Sequence, residues 1–352
     1  MDEKIYKAED AKSNLNNGKS IKSMYILREI FSFLKKEIFL KMIQYNKKLQ
    51  NEYRFNIEDY KTISGKYSKI DQNLGKIEIF KTDKKIKIFE GEYLNRKING
   101  KGKEYDYNGK LKFEGEYLKG KRNGNGKEYY DNGKLKFEGE YLNGERNGKG
   151  KEYYDKGKLE FVGEYLKGKR NGKGKEYYDN GKLGFIGEYL NGDRNGKGKE
   201  YYYNGKLGFM GEYLNGQRWK GKVKEYYNNR EIEFEGEYLN GEINGKGKEY
   251  YNNGKIKFDG KYKNGERNGK GKEYYNNGEL KFEGEYLNGK RNGKGKEYYH
   301  YNGNLKYEGE YLNGEKNGKG KEYYFNGILE FEGEYLNGQR KGKKYDCFGN
   351  LI

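Results

Sequence analysis

The 352-residue chain has no proline, one cysteine (Cys347), one histidine (His300) and one tryptophan (Trp219). Each scarcity removes a class of explanation. A lone cysteine excludes an internal disulfide framework and suits a reducing compartment. After Thr82 there is no serine or threonine, so the remainder offers no nucleophile-and-base arrangement and no nitrogen or sulfur metal site. No apolar run reaches the roughly 18 residues of a membrane span, and the polar start MDEKIYKAED does not read as a signal peptide. The expectation is therefore a non-enzyme without cofactors, cytoplasmic or peripheral at a membrane. Hydrophobic residues make up only 32%, against roughly 45–50% in ordinary soluble domains, which excludes a large spherical core. Low hydrophobicity with a net charge of +19 also matches disordered chains.

Aromatic residues argue against disorder. The chain carries 41 Tyr and 17 Phe, and rings at fixed spacing suit a thin, repetitive core. The absence of proline leaves long ladders of paired strands unobstructed. The stretch GEYLNGERNGKGKEYYDKGKLEFV, residues 139–162, recurs along the sequence, with a GEY or GKY triplet starting at Gly91, Gly115, Gly139, Gly163, Gly187, Gly211, Gly236, Gly260, Gly284, Gly309 and Gly333. Spacing is 24 apart from two steps of 25, a period that signals stacked supersecondary units. Each unit has two alternating stretches, LxFxGxY and GKGKxYY, separated by LNGxRN and DNG turns that supply positive φ. The unit reads as a β-hairpin and the array as an antiparallel meander.

Alternation places Phe137, Gly139 and Tyr141 on one side of a strand and Glu138 and Glu140 on the other. In the next strand Gly148, Gly150 and Tyr154 share a parity, opposite Lys149, Lys151 and Tyr153. Rings from one strand are expected over the glycines of its neighbour, with Glu and Lys rows paired on the outer face. Burying one Phe and two Tyr yields roughly 1.5–3 kcal/mol apiece, whereas ordering each residue costs about 1.5 kcal/mol. A lone hairpin would unfold; stacked units at about 4.8 Å per strand would extend roughly 100 Å.

The pattern FEGEYLNGxRNGKGKEYY resembles the MORN repeat over residues 76–346, through its triplet, its NGK turn and its glycine pair. Glu152 and its equivalents depart from the family, which often has a ring there. The resemblance implies a mainly β, elongated antiparallel β-hairpin repeat array that organises protein partners or membranes without intrinsic catalysis. A further resemblance, to MORN-like arrays that act as antitoxins, implies sequestration of a toxin.

Residues 1–75 lack the repeat and read as a small α-helical N-terminal segment. MYILREIFSFL sets Ile26, Leu27, Ile30, Phe31 and Leu34 on one helical face, with Ser23 as N-cap, and residues 37–50 continue the stripe. The run LREIFSFLKKEIFLKMIQYNKKLQ resembles an F-box, though it has no Leu-Pro and carries YNKKL where that family tends to have valine, cysteine and tryptophan. That resemblance implies docking to a Skp-type adaptor of a ubiquitin ligase through Leu27, Ile30, Phe31 and Leu34. The alternative is a helical cap over the first hairpin's open edge.

Two surfaces stand out for partners. Stacking would turn Arg122, Arg146, Arg170, Arg194, Arg218, Arg267, Arg291, Lys316 and Arg340 into a basic edge at about 10 Å intervals, able to attract anionic lipid. Glu145, Asp193, Glu266 and Glu315 weaken it, and an ordinary solvated edge is the plainer reading. Nucleic acid is disfavoured because the outward tyrosines alternate with acids as well as lysines. The second surface is an apolar strip, where the usual acid before the triplet becomes Val162, Ile186 and Met210, with Gly184 and Gly208 beside them and Trp219, Val223 and Arg230 in the next unit. Such a strip suits a protein partner or self-association. The plainer reading is drift among repeats, with Trp219 filling a kink. Paired acids such as Glu138 and Glu140 recur too often to be a tuned acid/base pair, and the GKG segments lack the spacing and following helix of a phosphate loop. His300 is expected at the surface of a turn.

Overall fold

A computed structural model describes residues 65–81 and 85–352. The described residues contain strands, turns and no helix, arranged as antiparallel hairpins. Most of the N-terminal segment expected to be helical, including Leu27, Ile30, Phe31 and Leu34, lies outside the described residues.

The chain divides into two compact units, meeting between Glu145 and Arg146. The first holds β1 (Lys66–Asp71), β2 (Lys76–Lys81), β3 (Ile86–Leu94), β4 (Lys97–Tyr105), β5 (Leu111–Leu118), β6 (Lys121–Tyr129) and β7 (Leu135–Leu142). Each strand pairs antiparallel with the next in sequence. Strand β1 corrects the expected boundary at 75/76, because Lys66–Asp71 pairs with β2 and stacks Tyr67 on Phe80 at 5.2 Å. The alternation in KYSKID is too short and too polar to announce a strand by itself.

The second unit runs from β8 (Glu145–Tyr153) through β9 (Leu159–Leu166), β10 (Lys169–Tyr177), β11 (Leu183–Leu190), β12 (Asp193–Tyr201), β13 (Leu207–Leu214), β14 (Gln217–Tyr226), β15 (Ile232–Leu239) and β16 (Glu242–Tyr250). It continues with β17 (Ile256–Lys263), β18 (Glu266–Tyr274), β19 (Leu280–Leu287), β20 (Lys290–Tyr298), β21 (Leu305–Leu312), β22 (Glu315–Tyr323), β23 (Leu329–Leu336) and β24 (Gln339–Lys344). Here too sequential strands pair antiparallel, from β8 with β9 to β23 with β24.

Two turn chemistries close the hairpins. At the LNG turn Asn191 and Gly192 both take positive φ, 53° and 104°, the combination a two-residue hairpin needs to match strand twist. At the DNG turn Gly181 alone does so (81°), and its N–H donates to the Tyr178 carbonyl at 2.8 Å. A bulge follows the arginine of the second strand: Tyr189 faces Arg194 and Gly187 faces Gly198, leaving an unequal number of residues between.

The core is the aromatic row expected from the repeat. Phe161, Phe185, Phe258 and Phe282 are fully buried, and most of the triplet tyrosines are nearly so. In the regular repeats a Phe meets the Tyr of its own strand and that of the following repeat edge-on: Phe161 lies 5.6 Å from Tyr165 and 5.2 Å from Tyr189, near perpendicular to both. Such edge-to-face pairs suit ring quadrupoles. The rings need bare backbone beneath them. A Cβ on Gly174 would stand 2.5 Å from Phe161 and 3.0 Å from Tyr189, while the glycine itself pairs with Gly163 and Gly187.

The paired tyrosines at the end of the second strand correct the expectation of two core Tyr per unit beside Phe. Only the triplet Tyr enters the ring row. Tyr154 lies past the end of β8 and donates to the Tyr177 carbonyl at 2.7 Å, tying one turn to the next. Tyr178, Tyr227 and Tyr251 repeat the bond.

Candidate functional site

On the ring-bearing face, the cations of the expected basic edge are engaged with carboxylates and, apart from the exposed Arg340, half-buried. Parity explains it, since Glu152 shares a face with Gly148 and Gly150. Arg170 reaches back 18 residues to Glu152 and forward six to Glu176, at 3.1 Å to the latter, and its guanidinium lies 4.2 Å from the Phe161 centroid. The pattern recurs as Arg122 with Glu104 (2.6 Å), Arg267 with Glu249 (2.7 Å) and Arg291 with Glu273 (2.9 Å). Arg146 bonds Glu152 at 2.5 Å, Arg194 pairs with Glu176, and Arg218 holds Glu200 at 3.0 Å. Lys316 and Arg340 both meet the buried Glu322. The triplet tyrosines complete the set: Tyr117 donates to Glu104, Tyr262 to Glu249 and Tyr286 to Glu273, at 2.7–2.8 Å.

The electrostatics follow from these contacts. Burial pushes the Glu249 carboxyl up, but bonds from Arg267 and Tyr262 outweigh it and hold it below the usual carboxylate range. Glu104, Glu200 and Glu273 behave alike. Burial and the neighbouring carboxylates push Tyr117, Tyr189, Tyr262 and Tyr286 well above the ordinary phenol value. What read as a row of free cations is a zigzag ladder of ion pairs flanking the ring row.

The opposite face carries the expected Lys/Glu rows. In the second unit, Lys248, Asp259, Lys272, Glu283, Lys296, Glu308, Lys321 and Glu332 stand opposite one another strand by strand. Ion pairs link Lys248–Asp259 (3.6 Å), Lys272–Glu283 (3.2 Å), Lys296–Glu308 (3.6 Å) and Lys321–Glu332 (3.0 Å). The acid also accepts from a tyrosine: Tyr298 from Glu283's next repeat donates at 2.8 Å, and Tyr323 donates to Glu308 at 2.8 Å. Burial and that carboxylate push each phenol up to about 12. Between β16 and β23 this face is hollowed into a trough of about 1260 Å³ running across the strands, with paired glycines along its floor and Lys and Glu along both sides.

Val162, Ile186 and Met210 occupy the acid's place in the same row, and the structure separates them. Val162 stands between Lys151 and Lys175, Ile186 between Lys175 and Lys199, and Met210 between Lys199 and Lys222. The expected apolar strip is thus an alternation of apolar side chains and lysines. Met210 is 42% exposed and Trp219 40%, whereas Val162 and Ile186 are half-buried. Gly184 and Gly208 underlie the Tyr178 and Tyr202 rings. Trp219 is not part of the row: it occupies a bulge between Arg218, opposite Tyr213, and Lys220, opposite Glu212.

Strand β14 also shifts the repeat frame. Gly221 takes the glycine seat opposite Gly211, while the buried Val223 stands opposite Gly236. Its two pairing edges are therefore offset by two residues, which accounts for one of the 25-residue steps. Arg230 takes positive φ (73°) where other units have glycine. His300 sits in the other long step. Its ring packs 4.5 Å from Tyr275 and 3.7 Å from Tyr301, and its Nε2 is inaccessible, which corrects the expectation of a surface histidine.

Among the described residues there is no cluster of His, Cys, Asp and Glu suited to a metal, and no helix long and apolar enough to cross a membrane. The fold and its faces define a β-hairpin repeat platform with one self-contained face and one open one. The MORN repeat matches residues 137–158, 161–182, 185–206, 234–256, 258–279, 282–300, 307–328 and 331–343, and a MORN repeat variant matches 98–119 and 122–143. The chain belongs to the MORN repeat family. The matches pass over residues 207–233, the stretch that contains the frame shift. No curated protein matches the chain. Among solved structures it is similar to a chain of the TcdB2-TccC3-Cdc42 crystal structure, at 10% identity and a TM-score of 0.21, covering 82% of this chain and 18% of that one. A chain of TcdB2-TccC3 without its hypervariable C-terminal region is similar at 11% identity and a TM-score of 0.18, covering 78% and 18%. This chain spans about a fifth of their length, and scores so low carry no argument.

Proposed function

We propose that the chain is a non-catalytic scaffold that holds protein partners on its open Lys/Glu face. The observation that carries this reading is the contrast between the faces: the ring-bearing face holds its ion pairs half-buried beside the rings, whereas the other exposes its ion-paired Lys and Glu rows, in register, along an open trough. Membership of a repeat family with a non-enzymatic fold supports it. A peripheral membrane role through the arginine row is less favoured, because those guanidinium groups are already paired with carboxylates. Residues 23–50 are proposed either to cap the array or to recruit a Skp-type adaptor through Leu27, Ile30, Phe31 and Leu34.

Affinity capture with the full chain, in parallel with flotation on anionic vesicles, tests the reading. Defined proteins retained without vesicle recovery are expected. Vesicle recovery with no enriched protein would replace the scaffold by a membrane organiser. Asp at Ile30 and Phe31 should remove any Skp-type protein from the captured set; an unchanged set assigns the segment to capping.

A further inference from the structure

Val162, Ile186 and Met210 stand where other units have an acid, and cannot make the two bonds that a carboxylate makes there. Elsewhere in the row that carboxylate pairs with a lysine and accepts from a tyrosine, as Glu283 does with Lys272 and Tyr298. Among the described residues, Lys175 and Lys199 have no carboxylate at ion-pair distance, although their positions match Lys248 and Lys272. Tyr177 and Tyr201 likewise lose the acceptor that Tyr298 and Tyr323 keep. The outcome is a row in which cation and apolar side chain alternate, where the same row along β16–β23 alternates cation and acid.

Building on the scaffold reading, we infer that β9–β13 form a docking row for an acidic amphipathic helix laid across the strands. Its apolar residues would recur by heptads against Val162, Ile186 and Met210, with Asp or Glu between them against Lys175 and Lys199. Spacing selects the helix. Neighbouring apolar residues are two strands apart, about 9.6 Å, and a cation stands midway at about 4.8 Å. A helix repeats every 5.4 Å per turn and about 10.5 Å per heptad, so three apolar contacts accumulate only about 2 Å of mismatch. An extended chain presents same-face side chains about every 6.6 Å and falls out of step within one interval.

Charge selects the partner's sign and excludes two occupants from within this protein. The segment 23–50 carries six Lys or Arg against two acids, so it would be repelled. A second copy would bring the same cations to face these. Desolvating lysines beside apolar side chains strengthens their attraction to carboxylates relative to the same pairs in open water.

The probe is a labelled helical peptide with Leu at heptad positions and Glu three and four residues on, titrated into the full chain. A peptide of identical composition in permuted order serves as control. Saturable binding by the first, weakened about tenfold or more in the V162E/I186E/M210E variant, supports the docking row. The variant restores the residue type found at this position in the other units, so it keeps the fold. Equal binding by the permuted peptide, or full binding by the variant, overturns the proposal. So would recovery of anionic vesicles that the variant abolishes, or dimerisation seen by sedimentation. If proteins captured by the wild-type chain are all retained by the variant, the scaffold reading survives and this row is not its site.

Discussion

Two stretches of the second unit share one backbone and differ on one face. Along β16–β23 the row through Lys248, Lys272, Lys296 and Lys321 sets each lysine opposite an acid, and Lys272 with Glu283 is typical at 3.2 Å. Along β9–β13 the lysines of the same row, Lys175 and Lys199, stand opposite Val162, Ile186 and Met210. Beneath both, the ring row is the same: Phe185 meets Tyr189 at 5.5 Å and Phe282 meets Tyr286 at 5.6 Å, each near perpendicular. The difference teaches that stability and recognition occupy opposite faces in a repeat array. The buried face tolerates little change because each ring has a glycine beneath it, while the open face can alter three successive residues without disturbing register.

The comparison can be broken first at the core. Phe185→Ala and Phe282→Ala should each cost about 3–5 kcal/mol in denaturant unfolding, equally in the two stretches. A large asymmetry would mean that the open face feeds back on packing. Next comes the carboxylate ladder. Glu200, Glu249 and Glu273 have folded values below their ordinary 4.5, so their contribution is complete above about pH 4.5 and is lost as pH falls through the folded values. Unfolding midpoints should fall between pH 5 and pH 3, less steeply in E200Q/E249Q/E273Q. The triplet tyrosines mirror this at high pH. Their folded values lie above 10.0, so stability is complete below pH 10 and declines above it; phenolate absorbance should rise together with unfolding rather than before it. The smallest effect belongs to the open face. V162E/I186E/M210E should change stability by about 1–3 kcal/mol in all, because exposed cross-strand ion pairs contribute about 0.2–1 kcal/mol each at three sites.

The hairpins, the glycine seats and the triplet rings could be read from spacing and alternation, because bare backbone under an aromatic ring leaves a periodic mark in the sequence. The ion-pair ladder could not be read as easily. Parity already placed Glu152 with Gly148 and Gly150, but an acid beside a ring row reads as outward unless a cation is known to reach it. That cation, Arg170, is 18 residues away and comes within bonding distance only through the bulge after the arginine. The lysines within the apolar strip were hidden for a related reason: repeat-to-repeat comparison aligns Val162 with Ile186, whereas the sheet interposes Lys175 from the other strand of the hairpin. In β14, Val223 occupied the place of a glycine by sequence alignment, yet the extra residue hands that seat to Gly221.

The arginine rungs reach 18 residues back and six forward, and together those steps make one period. Removing or duplicating any whole 24-residue segment within the regular stretches therefore rejoins every guanidinium to an equivalent carboxylate, wherever the cut falls. Copy number can drift by unequal recombination without leaving an orphaned charge at the junction, whereas an insertion of any other length strands one.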